Sequence, residues 1–87
     1  MIEGHVELVM VETGQPGRFV NITNTRQIEE RLTQQWPVAR RGAAYHKAVE
    51  ACLDHLQGKK EASAVRKAFI DAAKEAGIFV CEGTHYE

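Results

Sequence analysis

Residues 45–78 read YHKAVEACLDHLQGKKEASAVRKAFIDAAKEAGI, and this stretch decides the fold. Its apolar residues recur at spacings of three and four, which is the pattern of amphipathic helices. Gly58 and Gly77 follow the two periodic runs, and glycine is the residue that most often ends a helix in the left-handed conformation. The stretch therefore predicts two helices of similar length, at about 43–57 and 61–76, joined by a short connection.

Both predicted helices have narrow apolar faces that are rich in alanine. The residues assigned to the core face of the first are Tyr45, Ala48, Val49, Cys52, Leu53 and Leu56. Those assigned to the second are Val65, Ala68, Phe69, Ala72, Ala73 and Ala76. Small side chains let another helix approach closely. Ala68, Phe69, Ala72 and Ala76 are therefore candidate interface residues, toward the preceding helix, a hairpin or a second copy of the chain.

The N-terminal third predicts a β-hairpin. Val6, Leu8 and Met10 recur at every second position, which is strand periodicity and places them on one face. The sequence Gly-Gln-Pro-Gly at 14–17 is a turn signal, and alternation resumes over 18–22. A two-stranded hairpin is marginal in water, so its apolar face has to be covered by the helices.

A further helix follows the hairpin. Asn24 is a predicted N-cap, and Gln27 lies where a capping box places the side chain that reaches back. Ile28, Leu32 and Trp36 follow at four-residue spacing and form one stripe. The helix ends before residue 37, because that proline disfavours helical geometry in the residue ahead of it.

These elements predict a small α+β domain in which an N-terminal hairpin packs on three helices, in the order ββααα. A short third strand over residues 78–81 can close the sheet beside the hairpin. The 87 residues fit a single domain, with an ordered core at about 5–81 and a flexible tail at 82–87.

Several motifs also carry a family resemblance. They are Gln35-Trp36-Pro37, Arg41-Gly42, Tyr45, Ala48, Cys52, Leu56-Gln57-Gly58, AVRKAFI at 64–70 and AAKEAGI at 72–78. In these residues the chain resembles the bacterial family catalogued as domain of unknown function 982, over about residues 6–78. The resemblance implies a short, single-domain bacterial protein with the fold predicted above, and it implies no activity. The segment 22–30 is more polar than the start of the first helix in the family, so no site is carried over to it.

Composition restricts the classes of partner. The net charge is −1, and the excess of eight bases over four acids in residues 36–74 is small, which argues against a dedicated nucleic-acid binder. No apolar run approaches the roughly 20 residues that span a bilayer, and Glu3 and Glu7 interrupt the N-terminal segment, so we expect neither a membrane span nor a signal peptide. Two cysteines are too few for a disulfide scaffold, and we expect a reduced, cytoplasmic protein.

The strongest candidate ligand site lies ahead of the second long helix. Arg40 and Arg41 precede its N-terminus, where free backbone N–H groups favour an anion and arginine adds bidentate donors. Trp36 and Tyr45 flank the same segment and complete the candidate set. Ordinary surface charges and a core tryptophan are the simpler interpretation of these residues.

The sequence offers little reactive chemistry. Cys52 lies late in its helix on the apolar face, so an inert packing thiol is a better interpretation than a nucleophile paired with His46 or His55. Cys81 and His85 form a single weak pair, where a structural zinc site uses four ligands. We therefore expect no metal, no cofactor and no enzymatic activity.

The function predicted from the sequence is a non-enzymatic protein-interaction or regulatory module that acts as a homodimer. A binder of a small anion at Arg40 and Arg41 is the first alternative. A nucleic-acid-binding regulator, using Lys59, Lys60 and Arg66 among other bases, is the second.

Overall fold

The computed structural model describes residues 5–12 and 17–82, and it confirms the predicted α+β architecture. The elements in chain order are β1 (His5–Glu12), β2 (Phe19–Asn24), α1 (Thr25–Gln34), a single 3₁₀ turn (Val38–Arg40), α2 (Ala43–Leu56), α3 (Ala62–Ala76) and β3 (Val80–Glu82). The predicted third strand is present, shifted toward the C-terminus by one or two residues. Residues 14–16 of the predicted turn and 83–87 of the predicted flexible tail lie outside the described residues.

The three strands form one antiparallel sheet in the order β2-β1-β3, so the first strand is the central one. Val9 pairs with Ile22, and Val11 lies between Val20 on one side and Val80 on the other. Paired residues share a face of the sheet. This valine- and isoleucine-rich face meets the helices, and Val9, Val11 and Ile22 on it are almost completely buried.

The prediction of which β1 side chains face the core is wrong after Val6. The alternation placed Val6, Leu8 and Met10 on the core face, but Val9 and Val11 are the buried pair. The register of β1 against β2 shifts ahead of Val9, which marks a bulge or irregularity in the ladder. From the His5–Asn24 pair to the Val9–Ile22 pair, β1 advances four residues and β2 only two, so the regular alternation is interrupted there. Leu8, which is 38% exposed, and Met10 alternate with the buried Val9 and Val11 and therefore point away from the helices.

The start and end of α1 follow the sequence signals. The Asn24 Oδ1 accepts a hydrogen bond from Gln27 N at 2.9 Å, as an N-cap does. The Gln27 side chain reaches back, but its Oε1 accepts from Thr23 N at 2.7 Å instead of from the cap residue. The helix ends at Gln34, with Gln35 as its C-cap ahead of Pro37, and the apolar stripe (Ile28, Leu32 and Trp36) is buried.

The buried face of α2 is rotated from the predicted one. Leu53 and Leu56, assigned to the core, are 54% and 52% exposed, whereas Ala51 and His55 are buried. Alanine lets α2 lie close to α3, so the side of the helix with the small residues turns inward. His55 tolerates burial because its Nδ1 donates to the Lys60 carbonyl oxygen at 2.8 Å.

The alanine face of α3 packs inside its own chain. Phe69 and Ala72 are fully buried and Ala76 is 4% exposed, so these three candidate interface residues pack against their own chain, which is one of the partners that the sequence left open. Ala68 is half-buried against the same core. The predicted helix end is confirmed, because Gly77 has φ 75° and the N–H of Ile78 donates to the Ala73 carbonyl oxygen at 2.8 Å.

Candidate binding surfaces

Trp36 and Tyr45 are brought together, but as members of the core. Their ring centroids lie 6.0 Å apart, and Trp36 also meets Phe69 edge-on at 5.8 Å. Trp36 is only 4% exposed, which agrees with the simpler interpretation of the sequence. The Tyr45 hydroxyl is also engaged, since it donates to the Leu32 carbonyl oxygen at 2.9 Å. Both rings are therefore packed mainly against the core, with little surface left in water.

Arg40 and Arg41 diverge although they are neighbours in the chain. The Arg41 guanidinium lies 5.2 Å from the centre of the Tyr45 ring, and its Nη2 donates to the Trp36 carbonyl oxygen at 3.3 Å. The Arg40 Nη1 donates to the Ala76 carbonyl oxygen at 2.7 Å, at the C-terminal end of α3 where a cation is favoured. The two arginines therefore hold separate segments of the chain.

The N-terminus of α2 already receives an anion from the same chain. The carboxylate of Glu75 accepts hydrogen bonds from Ala44 N at 3.1 Å and from Tyr45 N at 3.2 Å. Gly42, the N-cap residue, has no side chain to do this, and a Cβ placed there would lie 2.5 Å from the Glu75 Oε2. An external anion at Arg40 and Arg41 would have to displace this carboxylate from the helix end.

A cleft lies where β1, α1, the 3₁₀ turn and the end of α3 meet. Its volume is about 350 Å³. The residues that line it include Glu12, Arg31, Gln35, Trp36, Arg40 and Ile78. We name it the Arg31–Arg40 cleft. Of the candidate ligand residues predicted from the sequence it contains Trp36 and Arg40, and it adds Arg31 and Gln35, which were not among those candidates.

Cys52 has the environment of an inert thiol. It is 5% exposed, and burial, with a smaller contribution from Glu29, raises its pKa to about 11. A nucleophilic cysteine needs the opposite, a lowered pKa and access to water. The ring of His55 is tied through Nδ1 to the Lys60 carbonyl oxygen. Of the weak Cys81 and His85 pair weighed as a metal site, His85 lies outside the described residues. Residues 5–12 and 17–82 contain no metal-binding group of three or more His, Cys, Asp and Glu side chains.

Three of the basic residues weighed for nucleic acid have partners within the chain. Lys60 lies 4.0 Å from Asp54 and Lys67 lies 3.6 Å from Asp71. The Arg66 Nε donates to a backbone carbonyl of β1 at 3.0 Å. Each of these three side chains therefore already has a partner within its own chain.

The sheet presents apolar side chains on the face away from the helices. We name it the outer sheet face, and its residues are Leu8, Met10, Glu12, Phe19, Asn21, Phe79 and Cys81. The register places Phe19 and Phe79 on either side of Glu12, and their rings meet edge-on with centroids 5.9 Å apart. The hairpin was predicted to have one apolar side, so this second apolar face was not among the candidates predicted from the sequence.

Comparison with known proteins identifies the family. Residues 6–80 match the family described as protein of unknown function (DUF982), and the chain belongs to it, as the resemblance in the sequence indicated. No curated protein and no solved structure matches the chain. Within residues 5–12 and 17–82, every helix is too short or too polar to cross a membrane.

Proposed function

Starting from membership of a family of unknown function, we propose that this protein is a non-enzymatic interaction module that acts as a homodimer through its outer sheet face. The observation that carries the proposal is the position of the exposed apolar side chains. Of the six large hydrophobic residues that are exposed in the described part of the chain, Leu8, Phe19 and Phe79 lie on this one face. Exposed apolar residues that cluster mark interaction surfaces, whereas scattered ones do not.

The two phenylalanines are large enough to anchor an interface. Phe19 is 40% exposed and Phe79 is 57% exposed. With about 200 Å² for a whole phenylalanine, the two rings together leave about 200 Å² in water. Covering this area is worth about 5 kcal/mol per subunit at 25 cal/mol per Å². A specific interface buries about 800 Å² on each partner, so the rings would supply about a quarter of it.

A second copy of the chain is the partner that this face fits best. A two-fold dimer sets a surface patch against itself, so charges near its centre meet like charges. Besides the three large apolar residues, the outer sheet face carries uncharged Met10, Asn21 and Cys81. Its acidic residue, Glu12, lies at the end of the strand, and its Oε2 accepts a hydrogen bond from Gly17 N at 3.3 Å. The patch can therefore face its own copy without strong repulsion.

Sedimentation velocity of the full chain and of Phe79→Ser tests the proposal. The substitution removes about 110 Å² of exposed apolar area per subunit, worth about 3 kcal/mol, so the dimer should dissociate at least about 100-fold more readily. Val38→Ser is the matched control, because Val38 is exposed but lies in the 3₁₀ turn. A strictly monomeric wild-type chain at high micromolar concentration would overturn the proposal, as would equal weakening in the control.

The other functions considered have less support. An anion at the N-terminus of α2 would compete with Glu75. Nucleic-acid binding has little electrostatic support, because the net charge of the chain is −1. We also propose that the protein is not an enzyme. Burial raises the pKa of Cys52, and a protonated thiol is a poor nucleophile. A cytoplasmic location is proposed because Cys52 and Cys81 are both free thiols.

A further inference from the structure

We propose that the Arg31–Arg40 cleft binds a small organic carboxylate with a compact apolar body. The cleft is separate from the N-terminus of α2, and of the residues of the outer sheet face it includes only Glu12, at the end of β1. Its volume of about 350 Å³ lies at the small end of the range found for ligand pockets. Four secondary-structure segments converge on it, so its shape is set by the fold and not by one loop.

Arg31 supplies the first reason to expect an anion. Its guanidinium is half-buried, and in the part of the chain that the structure describes no carboxylate lies within ion-pairing distance of it. Its Nη1 donates to the neutral Gln35 Oε1. The loss of hydrating water lowers the pKa of Arg31. A partly dehydrated cation without a counter-charge is unfavourable, and a bound carboxylate would supply that counter-charge.

Arg40 supplies a second cation that is already held in position. One of its terminal nitrogens donates to the Ala76 carbonyl oxygen at 2.7 Å. A guanidinium has five N–H donors, so this contact leaves others for a ligand. Because the contact with Ala76 fixes part of the side chain, less conformational entropy is lost when a ligand binds than for a free surface arginine.

The charges and walls of the cleft define the class of ligand. Arg31, Arg40 and Glu12 are the charged residues among those that line the cleft, and their formal charges sum to +1. This sum matches one negative charge and disfavours a dianion such as phosphate, which Glu12 would repel. Trp36 and Ile78 contribute apolar wall, which suits a small hydrocarbon group attached to the carboxylate. Benzoate has these properties and serves as the probe.

Titration of the full-length chain with benzoate, followed by ¹H–¹⁵N correlation spectra, tests the assignment. The chain has a single tryptophan, so the indole N–H signal of Trp36 reports directly on a wall of the cleft. We expect benzoate to shift this signal and the Arg31 Nε–H signal saturably at millimolar concentration. Benzamide, which has the same shape without the charge, should cause no saturable shift. Equal binding of benzamide or phosphate would overturn the proposed ligand class.

Two substitutions distinguish binding of benzoate in the cleft from a general effect of losing a positive charge. Arg31→Gln should weaken benzoate binding about tenfold or more, since a hydrogen bond between charged groups is lost. Arg66→Gln is the matched control, because Arg66 also donates to a backbone carbonyl but lies outside the cleft. Dispersed spectra from both variants would show that they fold. No saturable shift in the wild type, or equal weakening by the two variants, would overturn the site itself.

Discussion

Removing the Glu75 carboxylate tests how the start of α2 is held. Glu75 accepts hydrogen bonds from two backbone N–H groups of that helix, at 3.1 and 3.2 Å, and the N-cap Gly42 offers no side chain in its place. Loss of an N-cap acceptor costs about 0.5–2 kcal/mol. Loss of a negative charge at a helix N-terminus costs about 0.3–1 kcal/mol more. Because Glu75 is exposed, we take the low end of both ranges and expect Glu75→Ala to cost about 1 kcal/mol.

Thermal unfolding at fixed protein concentration measures this effect. A loss of about 1 kcal/mol lowers the Tm of a domain of this size by about 4–8 °C. The control is Asp71→Ala, one helical turn earlier, which removes only an exposed pair with Lys67 and should cost about 0.3–0.5 kcal/mol. Phosphate should also raise the Tm of Glu75→Ala more than that of the wild type, because the emptied helix end can accept it. Equal Tm values for the two variants, with no selective phosphate effect, would refute the reasoning.

Three further predictions concern the core, a helix end and the thiols. Leu32→Ala should destabilise the protein by about 2–5 kcal/mol in urea unfolding, whereas Leu53→Ala, on the exposed side of α2, should change the stability by less than about 0.5 kcal/mol. Gly77→Ala should cost about 1–2 kcal/mol in the same assay, because its φ of 75° is left-handed. At pH 8 iodoacetamide should label exposed Cys81 quickly and leave Cys52 unlabelled, and labelling of Cys52 in the native protein should rise only as the pH approaches its pKa of about 11. Labelling of both thiols at similar rates at pH 8 would contradict the burial of Cys52.

Local patterns in the sequence were enough to predict the elements of the fold. The 3.6-residue periodicity and the terminal glycine predicted α3, and the contact from Ile78 N to the Ala73 carbonyl oxygen confirmed its end. The orientation of the elements was harder to predict. Leu53 fits the apolar stripe of α2 as well as any core residue does, but the close approach of α3 selects the alanine side. Such a choice depends on the neighbouring helix, which the periodicity of one segment does not describe.

The candidate site was predicted less well, because its parts are distant in sequence. Glu75 reaches the start of α2 from 31 residues away along the chain. Nothing in the segment around Glu75 predicts this contact. The one local signal is Gly42, an N-cap residue that has no side chain to accept the hydrogen bonds of the helix end. Arg31 and Arg40 are nine residues apart in the sequence, and only the fold brings them to the lining of the same cleft. The sequence gives the chemical type of each residue, but the distances between these residues are determined by tertiary packing.

The sequence of β1 also indicates that the outer sheet face is covered by a partner. Residues 8–11 read Leu-Val-Met-Val, a continuous apolar run. A strand with one face in water normally alternates apolar and polar residues, whereas a continuous run is typical of a strand covered on both faces. The helices cover only the Val9 and Val11 side of this central strand. Leu8 and Met10 lie on the other side of the strand. Within the described residues, no helix of the same chain covers that side. A second copy, set across Phe19 and Phe79, would make both faces of β1 interior and so account for its composition.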